Sequence, residues 1–163
     1  MSSDEAEHWE TTWNIRLEEI MHPGVTVTPD TTEREVLKVL LENEIPGVSV
    51  VDEEGLLVGF VTDGHLLDSA MPDYLKIMED VSFVAEAGDE WIDYFAGSAD
   101  SPVKEVMNTQ VASVDVKDSE IVAAHKMVHE GVSSVVVTDD GEVVGIVNRL
   151  DLYAAIIGAS PEE

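Results

Sequence analysis

The sequence predicts an α/β (α+β) fold built from two pseudo-symmetric copies. Each copy runs β-α-β-β-α behind a short leading helix, and a partly helical insertion separates them. Three observations carry this expectation. The stretch Val58-Gly59-Phe60-Val61-Thr62-Asp63-Gly64-His65-Leu66-Leu67 recurs as Val144-Gly145-Ile146-Val147-Asn148-Arg149-Leu150-Asp151-Leu152-Tyr153. Each is an apolar strand, a polar turn and the start of an apolar-periodic segment. Before each lies a second strand and a turn rich in Asp, Glu and Gly, the pattern of a hairpin. Before that lies a helix with an apolar periodicity.

The elements follow in order. Leu17 to Met21 reads as a short helix, ended by His22-Pro23-Gly24, and Val25-Thr26-Val27 reads as a strand. Thr32 and Glu35 have capping-box spacing and open a helix to about Asn43, with Val36, Val39, Leu40 and Leu37 as its buried set. Val48 to Val51 and Leu57 to Thr62 form the hairpin around Asp52 to Gly55, and a helix carrying Leu66 and Leu67 follows. In the second copy Val103 to Met107 is the short helix, and Val111 to Val116 the strand region. Ser119 to Glu130 is a helix with Ile121, Ala124 and Val128 on one face. Val135 to Thr138 and Val143 to Asn148 form the second hairpin. Leu152 to Ile157 is the last helix, stopped by Gly158. His65 and Asp151 are placed to be helix N-caps.

The segments assigned are an acidic N-terminal stretch 1–15, copy one 16–70, an inserted segment 71–101, copy two 102–158 and a tail 159–163. Trp9 and Trp13 share one helix face and are read as covering an apolar edge. The insertion holds Tyr74, Phe83, Trp91, Tyr94 and Phe95, so it is expected to fold. Asp73 to Met78 and Asp89 to Phe95 are its candidate helices. It either covers an edge of the pair or faces a partner.

Asp and Glu number 35 against 8 Lys and Arg, a formal charge of −27. Nucleic acid and anionic membrane surfaces are therefore excluded as partners, because both need cations on the protein. The charge is a solvated surface or an adaptation to salt. No apolar run approaches the ~18 residues of a membrane span. The absence of Cys and of a signal-peptide core points to a cytoplasmic protein. His125 and His129, four apart on a helix, form the one metal-like spacing, but the Glu of a zinc-protease helix is missing between them. No Ser/His/Asp set or phosphate loop stands out. The chain is read as a non-enzyme with no metal and no required cofactor, a metal-dependent enzyme being the remote alternative.

With the repeat and both motifs in view, the chain resembles a tandem CBS-domain protein, the domain being named after cystathionine β-synthase. The resemblance implies one Bateman-type module that pairs into a homodimer. It implies a regulatory ligand sensor that binds AMP, ADP, ATP or S-adenosylmethionine between the motifs and acts on another protein. The alternative is a ligand-free module for dimerisation and partner docking. Residue by residue, the better cleft would combine Asn148, Arg149 and Asp151 with Val25, Ile45, Pro46 and Gly47. Asp151 stands where the family has its ribose-binding Asp, and Asn148 replaces the family's Ser or Thr. The second cleft would combine Thr62 and His65 with Val111, Ala112, Val132, Ser133 and Ser134, but His65 stands in place of the Asp. Beside these roles, Asp151 could serve only as a cap, His65 as a turn residue and Thr62 as a strand end.

Overall fold

The computed structural model describes residues 15–86, 92, 93 and 96–158. The expectations for Trp9 and Trp13, for most of the helix Asp89 to Phe95 and for the tail lie outside them. The chain forms two compact units, and each takes its leading segment from the other repeat.

The first unit contains residues 1–25, 55–57 and 110–163. It opens with α1 (Leu17–Ile20) and β1 (His22–Pro23). It continues with β5 (Ser113–Asp115), α6 (Glu120–Glu130), β6 (Ser134–Asp139), β7 (Glu142–Asn148) and α7 (Arg149–Ile156). Its sheet has the order β1-β7-β6-β5. β5 runs parallel to β6, and β6 and β7 form the antiparallel hairpin. β1 joins the far edge antiparallel, with His22 opposite Ile146 and Pro23 opposite Gly145. The parallel strand needs a crossover, and α6 supplies it. The core is Leu17, Ala112, Val114, Ala123, Met127, Val135, Val137, Val147 and Leu152, so one helix of the first repeat is built into the apolar interior of the second.

The second unit contains residues 26–54 and 58–109. Its elements are β2 (Thr26–Val27), α2 (Glu33–Asn43), β3 (Gly47–Val51), β4 (Leu57–Thr62), α3 (Asp63–Ala70), α4 (Asp73–Lys76), α5 (Ser82–Glu86) and a 3-10 turn Val103–Glu105. The sheet order is β2-β3-β4, with Thr26 opposite Ser49 in a parallel pair. Asn108 binds Phe60 through both backbone groups, at 2.9 and 2.8 Å. This is the counterpart of His22 on Ile146, each pair being displaced by 86 residues.

The glycine opening each motif strand has a steric reason. A Cβ on Gly145 would lie 2.6 Å from Met21 Sδ and 2.9 Å from the His22 carbonyl oxygen. On Gly59 it would strike Met107. The exchanged segment therefore closes onto the strand only where no side chain intervenes.

Several expectations are corrected. The leading helix ends at Ile20, just before His22-Pro23, and those two residues form a strand the sequence reading did not foresee, their backbone pairing with β7. Val25 lies between two two-residue strands instead of inside one. On α6 the buried face is Ala123 and Met127, while Ile121 and Val128 are exposed and Ala124 is half-buried. Of the stripe 121/124/128 only Ala124 packs against the core, and Ile121 and Val128 are exposed. On α2 Val36 and Leu40 are buried, Val39 is half-buried and Leu37 is exposed. The first insertion helix stops at Lys76, and α5 is an element the sequence reading missed.

Candidate ligand site at the strand to helix turns

Both motif helices start immediately after their strands, which moves the caps. The N-cap residues are Thr62 and Asn148. His65 and Asp151, expected as caps, occupy the third helical position instead. The reason is that β4 and β7 each end on a small polar residue whose extended backbone can cap directly.

The two turns then differ in chemistry. In the second unit the His65 backbone N–H donates to Thr62 Oγ1 at 3.2 Å. The Thr62 N–H donates to His65 Nδ1 at 3.0 Å. This is a reciprocal capping box with an imidazole in place of the usual carboxylate. It commits the hydroxyl lone pair and the ring nitrogen to the helix start. In the first unit Asn148 makes no side-chain cap hydrogen bond. Asp151 turns away from its own N-cap, and His22 Nε2 donates to its Oδ2 at 2.6 Å. Both members of that pair are about half exposed, at 52% and 46%. An ionised carboxylate can only accept, so the proton of this bond sits on the imidazole.

The other expected residues are distributed as follows. Asn148, Arg149, Asp151 and Val25 belong to the first unit. Val111, Ala112, Val132, Ser133 and Ser134 belong to it too, and the Arg149 N–H donates to the Ser133 carbonyl at 2.9 Å. Ile45, Pro46 and Gly47 belong to the second unit with Thr62 and His65, and the Asp63 N–H donates to the Pro46 carbonyl at 2.8 Å. Each turn is thus tied to the residues that lead into the hairpin of its own repeat. Gly47 and Ala112 are buried, Pro46 and Ser133 exposed, and Val25, Ile45, Val111, Val132 and Ser134 half-buried. His22 was missed by sequence reasoning. Its only signal was a neighbouring Pro and Gly, which suggested a helix stop.

Two more features of the first unit bear on what it can hold. α6 and α7 border an apolar groove of about 400 Å³ lined by Ala124, Met127, Val128, Leu152, Tyr153 and Ile156, with Arg149 at its edge. His125 and His129 stack on α6, their ring centroids 5.5 Å apart. Among the described residues no group of three or more potential metal ligands converges. No helix among them is long and apolar enough to cross a membrane.

Comparison with known proteins agrees with this architecture. The chain is similar to the CBS domain of a CBS-domain-containing membrane protein from Sphaerobacter thermophilus. The two are 28% identical with a TM-score of 0.70, over 93% of this chain and 95% of that one. It shares its fold with CBSX2 in complex with AMP, at 22% identity and TM-score 0.64 over 88% and 96%. It also shares it with the CBS domain pair of protein MJ0100 in complex with 5′-methylthioadenosine and S-adenosyl-L-methionine. There the identity is 24% and the TM-score 0.63, over 89% and 98%. The CBS domain description matches residues 17–71 and 103–158. With one match on each repeat and together more than half of its length, the chain belongs to the CBS-domain family.

Proposed function

We propose that this chain is a regulatory module that binds an adenosyl ligand at the β7–α7 turn and passes the bound state to another protein. The observation that carries the reading is the Asp151 carboxylate. It is half exposed, oriented by an imidazole, and stands three residues after an Asn148 amide that no capping bond occupies. A carboxylate so placed suits the hydroxyls of a ribose diol, and the amide can donate to a phosphate or carboxylate. Two proteins of this fold are bound to AMP and to S-adenosylmethionine. With Arg149 as the cation on this turn in a chain of charge −27, a metal-free triphosphate meets a repulsive field. AMP carries less charge, and S-adenosylmethionine carries a sulfonium and an amine that the field attracts.

Calorimetric titration with AMP, S-adenosylmethionine and ATP tests the reading. Asp151→Ala should weaken the favoured ligand by about one to two decades, the worth of a hydrogen bond to a charged group. His65→Ala should change this affinity little, because its ring is engaged by Thr62. Binding by none of these ligands, or loss in His65→Ala with retention in Asp151→Ala, overturns it.

The exposed apolar helix faces favour a second property, assembly into a homodimer. Val128 is 84% and Tyr153 62% exposed beside the groove. Their repeat counterparts Leu41 and Leu67 are 70% and 63% exposed on α2 and α3. Both units thus present the same kind of unpartnered face, which a second copy would cover by symmetry. Sedimentation should show a dimer, and Val128→Glu should shift it toward monomer. A monomeric wild-type chain at tens of micromolar would remove this part of the proposal.

A further inference from the structure

We propose that His22, on the exchanged strand β1, is a positioning residue that makes this site selective for ribose over 2′-deoxyribose. The inference rests on reading Asp151 as the ribose acceptor. The local alternative for a residue at the third helical position is to fold back and bond its own N-cap, as His65 does. Asp151 does not, since α7 has no capping box. Its carboxylate is instead drawn to His22 by a bond of 2.6 Å, the short distance of a charge-assisted pair.

The backbone that carries the imidazole is well fixed. β1 is locked in register by His22 opposite Ile146 and Pro23 opposite Gly145. Met21, the preceding residue, seats on Gly145, where even one added carbon would collide. A donor carried on an anchored strand therefore holds Oδ2, and the second carboxylate oxygen is left with a preferred direction. An exposed carboxylate without such a partner would rotate freely, and ordering it on binding would cost affinity. The residue that fixes it thereby sets how strongly a missing hydroxyl is noticed.

The repeat supplies an internal comparison. The positions equivalent to His22 and Asp151 in the second unit are Asn108 and His65. That turn consumes its own imidazole in the capping box. The His–Asp pair is therefore a property of one turn, not of the motif, and it gives the two turns different chemistry.

The test is titration of the full chain with AMP and with 2′-deoxy-AMP. Wild type should prefer AMP by about tenfold, the worth of one hydrogen bond of this class. In His22→Ala most of that preference should vanish through weaker AMP binding, with 2′-deoxy-AMP little changed. His22→Gln, whose amide can still donate to Asp151, should recover part of it. In an Asp151→Ala background, His22→Ala should have no further effect. Melting curves of the variants should match wild type, because the backbone pairing of β1 does not use the imidazole. Equal weakening of both nucleotides in His22→Ala would show a purely structural role and overturn the proposal, as would an unchanged preference. If wild type prefers AMP but Asp151→Ala keeps that preference, the ribose-acceptor reading fails and this inference fails with it. If wild type binds neither nucleotide, the site reading itself is what fails.

Discussion

At the scale of single residues, the costs in this fold are local and identifiable. Glu33, the first residue of α2, is only 5% exposed, and its Oε2 has no hydrogen-bond partner. Burial pushes its carboxyl above the ordinary range, a hydrogen bond from Ser69 opposes this, and the nearby Glu105 adds to the rise. The sign follows from linkage. A carboxyl whose folded value is raised stabilises the fold fully below its unfolded value. That contribution is lost as pH climbs through the folded value. Glu33→Gln keeps a group that can bond Ser69 and removes the buried charge. It should therefore raise stability at pH 7. The difference from wild type should shrink as pH falls toward the ordinary Glu range. Urea denaturation of both proteins across that interval checks it, and a constant difference would mean that charge is not the cause. Nothing in the sequence marks Glu33, which sits in the first turn where Glu is favoured for ordinary reasons. Likewise Glu44 ends α2 in the left-handed region (φ 54°) where Gly131 ends α6 (φ 66°). Both helix ends were placed correctly from the sequence, at Asn43 and Glu130, but the left-handed cap is one that Gly adopts readily and Glu rarely.

At the scale of elements, the sequence is most legible where a pattern is local. The Thr32–Glu35 box forms as its spacing implies, and β4 spans Leu57 to Thr62 as expected. The exchange of leading segments was not legible, because it pairs residues far apart in the chain, such as His22 with Ile146 and Asn108 with Phe60, and leaves no periodicity. The face of α6 failed for a related reason, while on α2 Val36 and Leu40 are buried as expected. The stripe Ile121, Ala124 and Val128 is as apolar as Ala123 and Met127, and only the sheet decides which face is inside. The residues of the proposed site divide the same way: Asp151 was singled out through its motif, and His22 was not. The exchange has a folding consequence. The unit built on the second repeat needs Leu17 in its core, and the unit built on the first needs Val103, each 0% exposed. A fragment of residues 1–100 would carry Leu17 without its cavity and the first repeat without Val103. Losing a buried side chain of this size costs about 2–5 kcal/mol, a large share of a domain's stability. The fragment should therefore be molten or aggregated, with poor amide dispersion. A cooperative transition from it would contradict the exchanged-core account.

At the scale of the whole molecule, charge dominates. The chain carries −27 on 163 residues, with 35 acidic against 8 basic side chains. The basic groups are largely spent in exposed pairs: Arg34 with Asp100, Lys38 with Glu42, Lys104 with Asp30, and Lys76 with both Asp68 and Asp73. Such pairs contribute little each, so they cannot offset the repulsion among the remaining carboxylates. Between 10 mM and 1 M salt the screening length falls from about 30 to about 3 Å. At the low end nearly every pair of surface carboxylates feels the others, and at the high end only neighbours do. Salt also weakens the attractive pairs, but those are few, so the repulsive part decides the sign. Urea midpoints should therefore rise from low to molar KCl. Replacing KCl with an uncharged osmolyte of equal osmolality separates screening from general exclusion effects, which stabilise without regard to charge. If the osmolyte reproduces the whole gain, or if the midpoints are equal at both salt levels, the acidic surface serves solubility alone and does not set the stability of the fold.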